Sequence, residues 1–232
     1  MTITEPATLI TDWLLALLAI VLARGLTQRD ARPGVRVSGP GSGAPEAAAR
    51  ALRAHLLLSA AGAVLGGTEH GFKLHLSPTA LDLIWSGTLV LLMLASGALL
   101  GFATALWATP GARRALNATG LIGVLAGLAL GVPSGAFEAV LLVWVSITLV
   151  VLALTVPAWR RGRAGAGAVL ASLATSVLGA GIQAAGLAPH PAFNHNDLFH
   201  VVQMYALLLL ARGAHAALGE ARAEDGAARI QG

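Results

Sequence analysis

The 232-residue sequence contains no cysteine, one lysine and one tyrosine, and only 11% of its residues are charged. Without cysteine, disulfide bonds and thiolate metal sites are excluded, so a bound metal must take nitrogen or oxygen ligands. With 56% hydrophobic residues, the chain also has too little polar surface to cover a soluble globule. We therefore expect an integral membrane protein.

The sequence contains long apolar runs with few charged residues. A helix needs roughly 20 residues to cross a hydrocarbon core of about 30 Å, and seven runs approach or exceed that length. They extend approximately from Leu9 to Leu26, Ala51 to Thr68, Ala80 to Trp107, Ala115 to Val132, Gly135 to Trp159, Gly165 to Leu187 and Asp197 to Ala217. Each run is continuous, whereas the strands of a membrane barrel alternate lipid-facing and lumen-facing residues. The sequence therefore predicts an all-α bundle of seven transmembrane helices.

The basic residues lie almost entirely on one side of the predicted bundle. All the arginines flank the first, third and fifth connections or the end of the last run, and only Lys73 lies at the opposite ends. Because short cytoplasmic loops retain Lys and Arg, we expect the N-terminus outside and the C-terminus in the cytoplasm, in the cytoplasmic membrane of a bacterium. The positive charge then reflects topology and contact with anionic membrane lipids. No nucleic-acid partner is expected, because no binding motif is present.

The seven runs predict a single membrane domain over residues 1–217. Residues 27–49 are rich in Gly, Pro, Arg and Ser, which predicts a mobile cytoplasmic loop between the first two helices. Residues 218–232 mix acidic, basic and small residues, which predicts a cytoplasmic tail with a frayed structure.

Ionisable side chains gather where three of the runs begin or end. Glu69 and His70 close the second run, Asp82 opens the third, and His195 and His200 lie around the start of the seventh. The predicted topology places these ends on the extracytoplasmic face, where they can form one site. Because ionisable residues inside a membrane are costly, they are functional candidates by default.

The start of the seventh helix decides which of its polar residues can act together. A helix that begins near Asn196 places Asn196, His200 and Gln203 on one stripe, which should face the bundle interior. His195 lies five positions before His200, about 140° away on a regular helix, so it can join His200 only where the chain is still turning. Asn194 as an N-cap permits such a turn.

Histidines from the second and seventh helices offer the ligand chemistry that Zn²⁺ prefers. Neutral imidazoles of His70 and His200 can bind the ion while a water molecule occupies a remaining position. Asp82 or Glu69 can then act as a base or orient that water. The metal-free alternative is an interhelical hydrogen-bond network that stabilises the bundle at a hydrated rim.

A family resemblance rests on His70, on Asp82 and on the stretch from Asn196 to His200. Together with the seven-helix core, these residues resemble the CREST superfamily, which includes alkaline ceramidases and PAQR receptors. In that family helix two usually carries serine four residues before its histidine, and helix seven carries His-x-x-x-His with an aromatic residue before the second histidine. Here Gly66 stands in place of the serine and Asn196 in place of the first histidine, while Phe199 matches the aromatic residue.

The resemblance implies a Zn²⁺ ion bound by His70, His200 and His195, with a metal-bound water that attacks the carbonyl of a lipid amide or ester. Asp82 would take the proton, and Glu69 competes with Asp82 for that role. The substrate class follows from this analogy.

The loss of the family serine leaves other residues as candidate oxyanion donors. These are Thr68, Asn194 and Asn196. The leading hypothesis is therefore a metal-dependent membrane hydrolase that acts on a lipid-like substrate. The alternative is a non-catalytic ligand-binding, sensor or transport protein that uses the same polar residues without turnover.

Overall fold

The computed structural model describes residues 2–28 and 43–231, and all the long elements within them are helices. The helices are α1 (Pro6–Gln28), α2 (Gly43–Phe72), α3 (Pro78–Trp107), α4 (Pro110–Ser134), α5 (Phe137–Arg160), α6 (Ala166–Ala184) and α7 (His195–Gln231). A short 3₁₀ turn, Lys73–His75, joins α2 to α3. In this described part of the chain, seven helices are long and apolar enough to cross a membrane. The predicted all-α, seven-helix architecture is confirmed.

Six of the helices form a closed ring, and α4 packs beside it. α1 contacts α2 and α7, and the ring continues from α2 through α3, α5 and α6 back to α7. α4 packs against α3 and α5. Only 11% of the most apolar stretch of α4 is buried, against 56% for α3, which contacts four other helices. The ring therefore has an interior that α4 does not reach.

The hydrophobic core lies mainly along α2 and α3, with further residues from α1, α5 and α7. Its largest fully buried apolar side chains include Leu52, Leu56, Leu89, Met93, Phe102 and Val151. Small buried residues lie on either side of Leu52 and Leu56 along α2, namely Ala48, Ala60 and Ala63. Small side chains at these positions let the neighbouring helices pack closely.

Two tight connections begin with the same helix-start chemistry. Ser77 precedes Pro78, and its Oγ accepts a hydrogen bond from the Ala80 amide at 3.2 Å. Thr109 caps α4 in the same way by accepting from the Ala112 amide at 3.4 Å. A hydroxyl N-cap followed by proline is a favoured helix start. The chain therefore turns back directly after α2 and again after α3.

We call the end of the bundle where α1, α3, α5 and α7 begin and α2, α4 and α6 end the site end. Contacts between helix termini define it. Glu5, just before α1, binds His70 near the end of α2, and Trp85 near the start of α3 donates from Nε1 to the Gly135 carbonyl after α4 at 2.8 Å. The opposite end is called the far end.

At the far end the connection between α5 and α6 lies directly against α7. Gly165 has a φ of +76°, and a Cβ there would lie 1.9 Å from the Gly213 carbonyl oxygen, so only glycine fits. Arg163 binds Glu224 through two hydrogen bonds of 2.6 and 2.7 Å and contacts Glu220 at 3.0 Å. These contacts hold the extension of α7 beyond residue 217.

Two helices extend furthest beyond their predicted bounds. α2 begins at Gly43, eight residues before the predicted start at Ala51, and α7 continues to Gln231 through the tail that was expected to fray. Hydropathy identifies only the membrane-crossing part of a helix, so polar helical turns beyond the hydrocarbon core give no signal. Of the predicted loop at 27–49, residues 29–42 lie outside the described residues and the remainder is helical.

Candidate functional site

The ring encloses a chamber of about 530 Å³, a volume typical of small-molecule binding sites. All six ring helices contribute lining residues, and α4 contributes none of the described ones. The lining residues of α2 recur three or four positions apart on one helix face. They are His55, Ser59, Gly62, Ala63, Gly66, Glu69 and His70. Because α2 rises about 22 Å between the two histidines, the chamber extends from the site end towards the far end.

Buried polar side chains of α1 and α7 meet at the site end of the chamber. Asp12 Oδ1 lies 3.2 Å from His200 Nε2, and Thr11 Oγ1 lies 3.2 Å from His200 Nδ1. Asp12 is 4% exposed and His200 is 9% exposed. Asp12 lies about 9 Å along α1 and His200 about 8 Å along α7, measured from the helix starts at 1.5 Å per residue. The pair is therefore inside the bundle and below its rim.

The hydrogen bonds of Thr11 indicate which ring nitrogen of His200 carries a hydrogen. Its hydroxyl is also 3.0 Å from the Ala7 carbonyl and 3.1 Å from the Thr8 carbonyl. When the hydroxyl donates to a carbonyl, it can only accept from His200, so Nδ1 carries hydrogen. The contact between Nε2 and Asp12 then needs a proton on the nitrogen or on the carboxyl oxygen. In this arrangement the pair is neutral overall, which lowers the cost of its burial.

Two glycines of α2 make room for Asp12. A Cβ at Gly67 would lie 2.8 Å from Asp12 Cβ and 3.0 Å from Trp13 Cδ1. Glycine at this position therefore permits the close approach of α1. A Cβ at Gly66 would lie 3.8 Å from Asp12 Oδ2. The position at which the CREST resemblance expects serine thus faces the Asp12 carboxyl group instead.

The start of α7 is fixed by a reciprocal cap. Asn194 Oδ1 accepts from the Asn196 amide at 2.8 Å and from the Asp197 amide at 3.4 Å, while Asp197 Oδ2 accepts from the Asn194 amide at 2.6 Å. This is the logic of a capping box. Asn194 is therefore the N-cap, as predicted, but α7 is helical from His195 onward. His195 consequently lies about 140° around the helix from His200.

The N-terminal segment is attached to the end of α2. His70 Nδ1 lies 3.0 Å from Glu5 Oε2, Lys73 Nζ contacts the other oxygen of Glu5, and the Thr4 amide donates to the Gly71 carbonyl at 3.0 Å. Burial raises the pKa of Glu5, but the hydrogen bond from Lys73 and the charges of His70 and Lys73 outweigh it and lower the pKa below its ordinary value. Glu5 also orients the His70 ring and leaves its Nε2 for other partners.

Four of the six predicted site residues line the chamber, and they are Glu69, His70, Asn196 and His200. Gln203 lines it as well, as the predicted stripe on α7 requires. Asp82 is exposed near the start of α3, and neither Asp82 nor His195 lines the chamber. The base and ligand roles given to Asp82 and His195 stay predictions.

The donor atoms at the site end are engaged with one another. Asn196 Oδ1 accepts from Gln183 Nε2 at 3.1 Å, while His70 is bound to Glu5, and His200 to Thr11 and Asp12. Within residues 2–28 and 43–231, no group of three or more His, Asp or Glu side chains is arranged to hold a metal ion. This arrangement does not fit the expected Zn²⁺ site, and Zn²⁺ binding stays a prediction.

Sequence reasoning missed Asp12, although a signal was present. Asp12 is the one acidic residue within the first apolar run, and an isolated carboxylate inside a membrane helix is a functional candidate in its own right. Thr11 gave no comparable signal, because a threonine in a membrane helix can bond to its own backbone. The structure is needed to place both residues beside His200.

Comparison with known proteins gives one match. Residues 7–218 match the family DUF6962, which is described as a family of unknown function. No curated protein matches the chain, and neither does any solved structure. The matched region includes both Asp12 on α1 and His200 on α7 and covers most of the sequence. The chain therefore belongs to the DUF6962 family.

Proposed function

We propose that the protein binds one amphiphilic, lipid-like molecule inside the six-helix ring, with the polar head group at the site end. The observation that carries this proposal is the 530 Å³ chamber, which joins a cluster of ionisable side chains to a long apolar interior. Ligand sites typically combine apolar walls with a few polar groups that fix orientation.

The shape of the chamber suits a single hydrocarbon chain. A volume of 530 Å³ over about 22 Å of helix gives a mean cross-section of about 24 Å². Apolar side chains from α3, α5, α6 and α7 form much of its wall. They include Leu92, Leu141, Trp144, Leu173, Leu207 and Leu210. Such a cavity favours an extended apolar chain over a compact polar solute.

The site end favours a neutral or cationic head group. Asp12 and Glu69 both line it, so an anionic head group would face two carboxyl groups. His70 on α2 and Gln203 on α7 also line the chamber, and both supply hydrogen-bonding groups. Hydroxyl and amide groups match this set because each can donate and accept hydrogen bonds.

Filling the chamber tests the proposal. A Cβ at Gly66 would meet only Asp12 Oδ2 within 4 Å, so Gly66→Leu places a side chain in the chamber without a backbone clash. Gly181→Leu is the matched control, because Gly181 is exposed, has open space around it and does not line the chamber. Lipids retained per chain are counted by mass spectrometry after purification in a mild detergent.

We expect the Gly66→Leu protein to retain at least about tenfold less lipid than wild type, since one buried leucine displaces several methylene groups of a ligand. The Gly181→Leu protein should match wild type. Equal lipid in all three proteins would contradict an internal lipid site.

A second candidate function is the metal-dependent hydrolysis of a lipid amide or ester. It is favoured by one observation, which is that Glu69, His70, Asn196 and His200 all line the space where the head group would lie. The site would have to rearrange before it could hold Zn²⁺, because the present side-chain positions do not suit a metal ion.

Metal analysis separates the two functions. A hydrolase of this kind requires about one Zn²⁺ per chain in wild type and almost none in His200→Ala, whereas a binding protein needs none in either. If turnover is found, we expect Asp12→Asn to reduce it more than Asp82→Asn, because Asp12 lines the chamber and Asp82 does not. The reverse order would restore Asp82 as the base.

A further inference from the structure

His55 lies at the far end of the chamber and is held in one orientation. Its Nδ1 is 2.9 Å from the Ala95 carbonyl oxygen on α3. A carbonyl oxygen can only accept a hydrogen bond, so Nδ1 carries the hydrogen. The carboxyl groups among the lining residues are those of Asp12 and Glu69, both at the site end. A charged imidazolium at the far end would have no counter-ion in the chamber, so the ring is neutral and its Nε2 is an acceptor.

This acceptor is not used by the protein. Among the described residues the only hydrogen bond of His55 is the one to Ala95. Ser59, one turn further along α2, also lines the chamber, and its hydroxyl has no hydrogen-bond partner in the same part of the chain. The far end of the chamber therefore presents an unused acceptor and an unused hydroxyl group.

We propose that His55 and Ser59 form a second polar subsite, which binds a hydroxyl group at the distal end of the chain of the bound amphiphile. The inference rests on the proposed function and adds the chemical class of the ligand. The two polar ends of that ligand are separated by about 22 Å, the rise of α2 between His55 and His70. A plain alkyl end would leave Nε2 without a partner, whereas a hydroxyl group can donate to it and accept from Ser59.

Two matched neutral compounds test the subsite. One is a straight-chain diol with a hydroxyl group at each end and a length of about 22 Å, and the other is the mono-alcohol of the same chain length. Each competes with a fluorescent lipid for the full-length protein in detergent micelles. Because the compounds differ in one terminal hydroxyl group, the ratio of their affinities reports on the far end alone.

We expect wild type to bind the diol about three- to tenfold more tightly than the mono-alcohol, the range given by one net hydrogen bond. His55→Phe should reduce this ratio to about one, because a phenyl ring has a similar shape and no acceptor nitrogen. His55→Asn can still donate to the Ala95 carbonyl, but it has no atom at the position of Nε2, so it should also lose the preference. If His55→Phe fails to fold, the asparagine variant gives the same answer.

The failure of the inference differs from the failure of the proposed function. If both compounds bind wild type equally well, or if the diol preference survives in the two variants, the far-end subsite is wrong while the internal lipid site stands. If neither compound competes, the chamber does not bind such chains, and both proposals are overturned.

Discussion

Two cavities of similar size lie on opposite sides of the wall formed by α3 and α5. The inner one is the chamber of about 530 Å³, and the outer one is a groove of about 580 Å³ lined by α3, α4 and α5. Ionisable side chains line the chamber, namely Asp12, His55, Glu69, His70 and His200. The lining residues of the groove include none. Volume therefore does not distinguish the two cavities, but the placement of ionisable groups does.

The difference follows from what each cavity faces. The groove runs beside α4, most of whose side chains are not covered by protein, so lipid tails can fill it without any specific contact. The chamber is enclosed by six helices and contains polar groups that lipid tails cannot satisfy. Burial of these polar groups costs free energy unless a bound molecule or the protein itself pairs them.

The largest expected effect comes from breaking the pair between Asp12 and His200. Asp12→Ala removes a buried partner of His200, and the loss of one member of a buried pair costs about 3 kcal/mol of unfolding free energy. Ser146→Ala in the outer groove should change it by less than about 0.5 kcal/mol, because Ser146 is exposed. Unfolding in mixed micelles, followed by circular dichroism, measures both.

A double mutant sharpens this first prediction. Asp12→Ala combined with His200→Ala should cost clearly less than the sum of the two single changes, because the second change removes the group that the first leaves unpaired. Additive costs would show that the two side chains do not interact.

The second prediction compares Gly67, at the contact between α2 and α1, with Gly123, which lines the outer groove. Gly67→Ala should destabilise the protein by about 2 kcal/mol, because the new methyl group would overlap Asp12 and Trp13. Gly123→Ala should stabilise it by about 0.5 to 1 kcal/mol, since nothing lies within 4 Å and alanine favours the helix. The same unfolding assay checks both signs, and a shared sign would argue against the close approach of α1 to α2.

The smallest effect is a dependence on pH at the rim of the site end. Because the folded state lowers the pKa of Glu5, its contribution is complete above the ordinary glutamate pKa and is lost as the pH falls through the lowered value. Glu5→Gln should remove this dependence at a cost below about 1 kcal/mol at neutral pH. The unfolding free energies of wild type and Glu5→Gln, measured from neutral to acidic pH, test this prediction. If the two free energies change in parallel with pH, Glu5 is not the source of the dependence. The groove offers no titratable group for a comparable effect.

The sequence predicts the helices well because hydropathy and the membrane-crossing length act on each segment separately. It also predicts the stripe of Asn196, His200 and Gln203, because that stripe depends only on the 3.6-residue period. The sequence does not predict which side chains reach the chamber when this depends on contacts between distant helices. Asp82 and His195 lie near the correct helix ends, but α3 and α7 turn them away from the chamber, and Asp12 enters only through the packing of α1 against α2 and α7.

The contact between α1 and α7 has a consequence for biosynthesis. Within this bundle α1, which carries Asp12, is synthesised before α7, which carries His200. Until α7 arrives, α1 carries a carboxyl group without its histidine, and inserting such a group within a membrane helix costs up to about 3 kcal/mol. The ring therefore closes only after α7 has been inserted. A chain truncated before α7 lacks both that helix and the histidine that lowers the cost of burying Asp12.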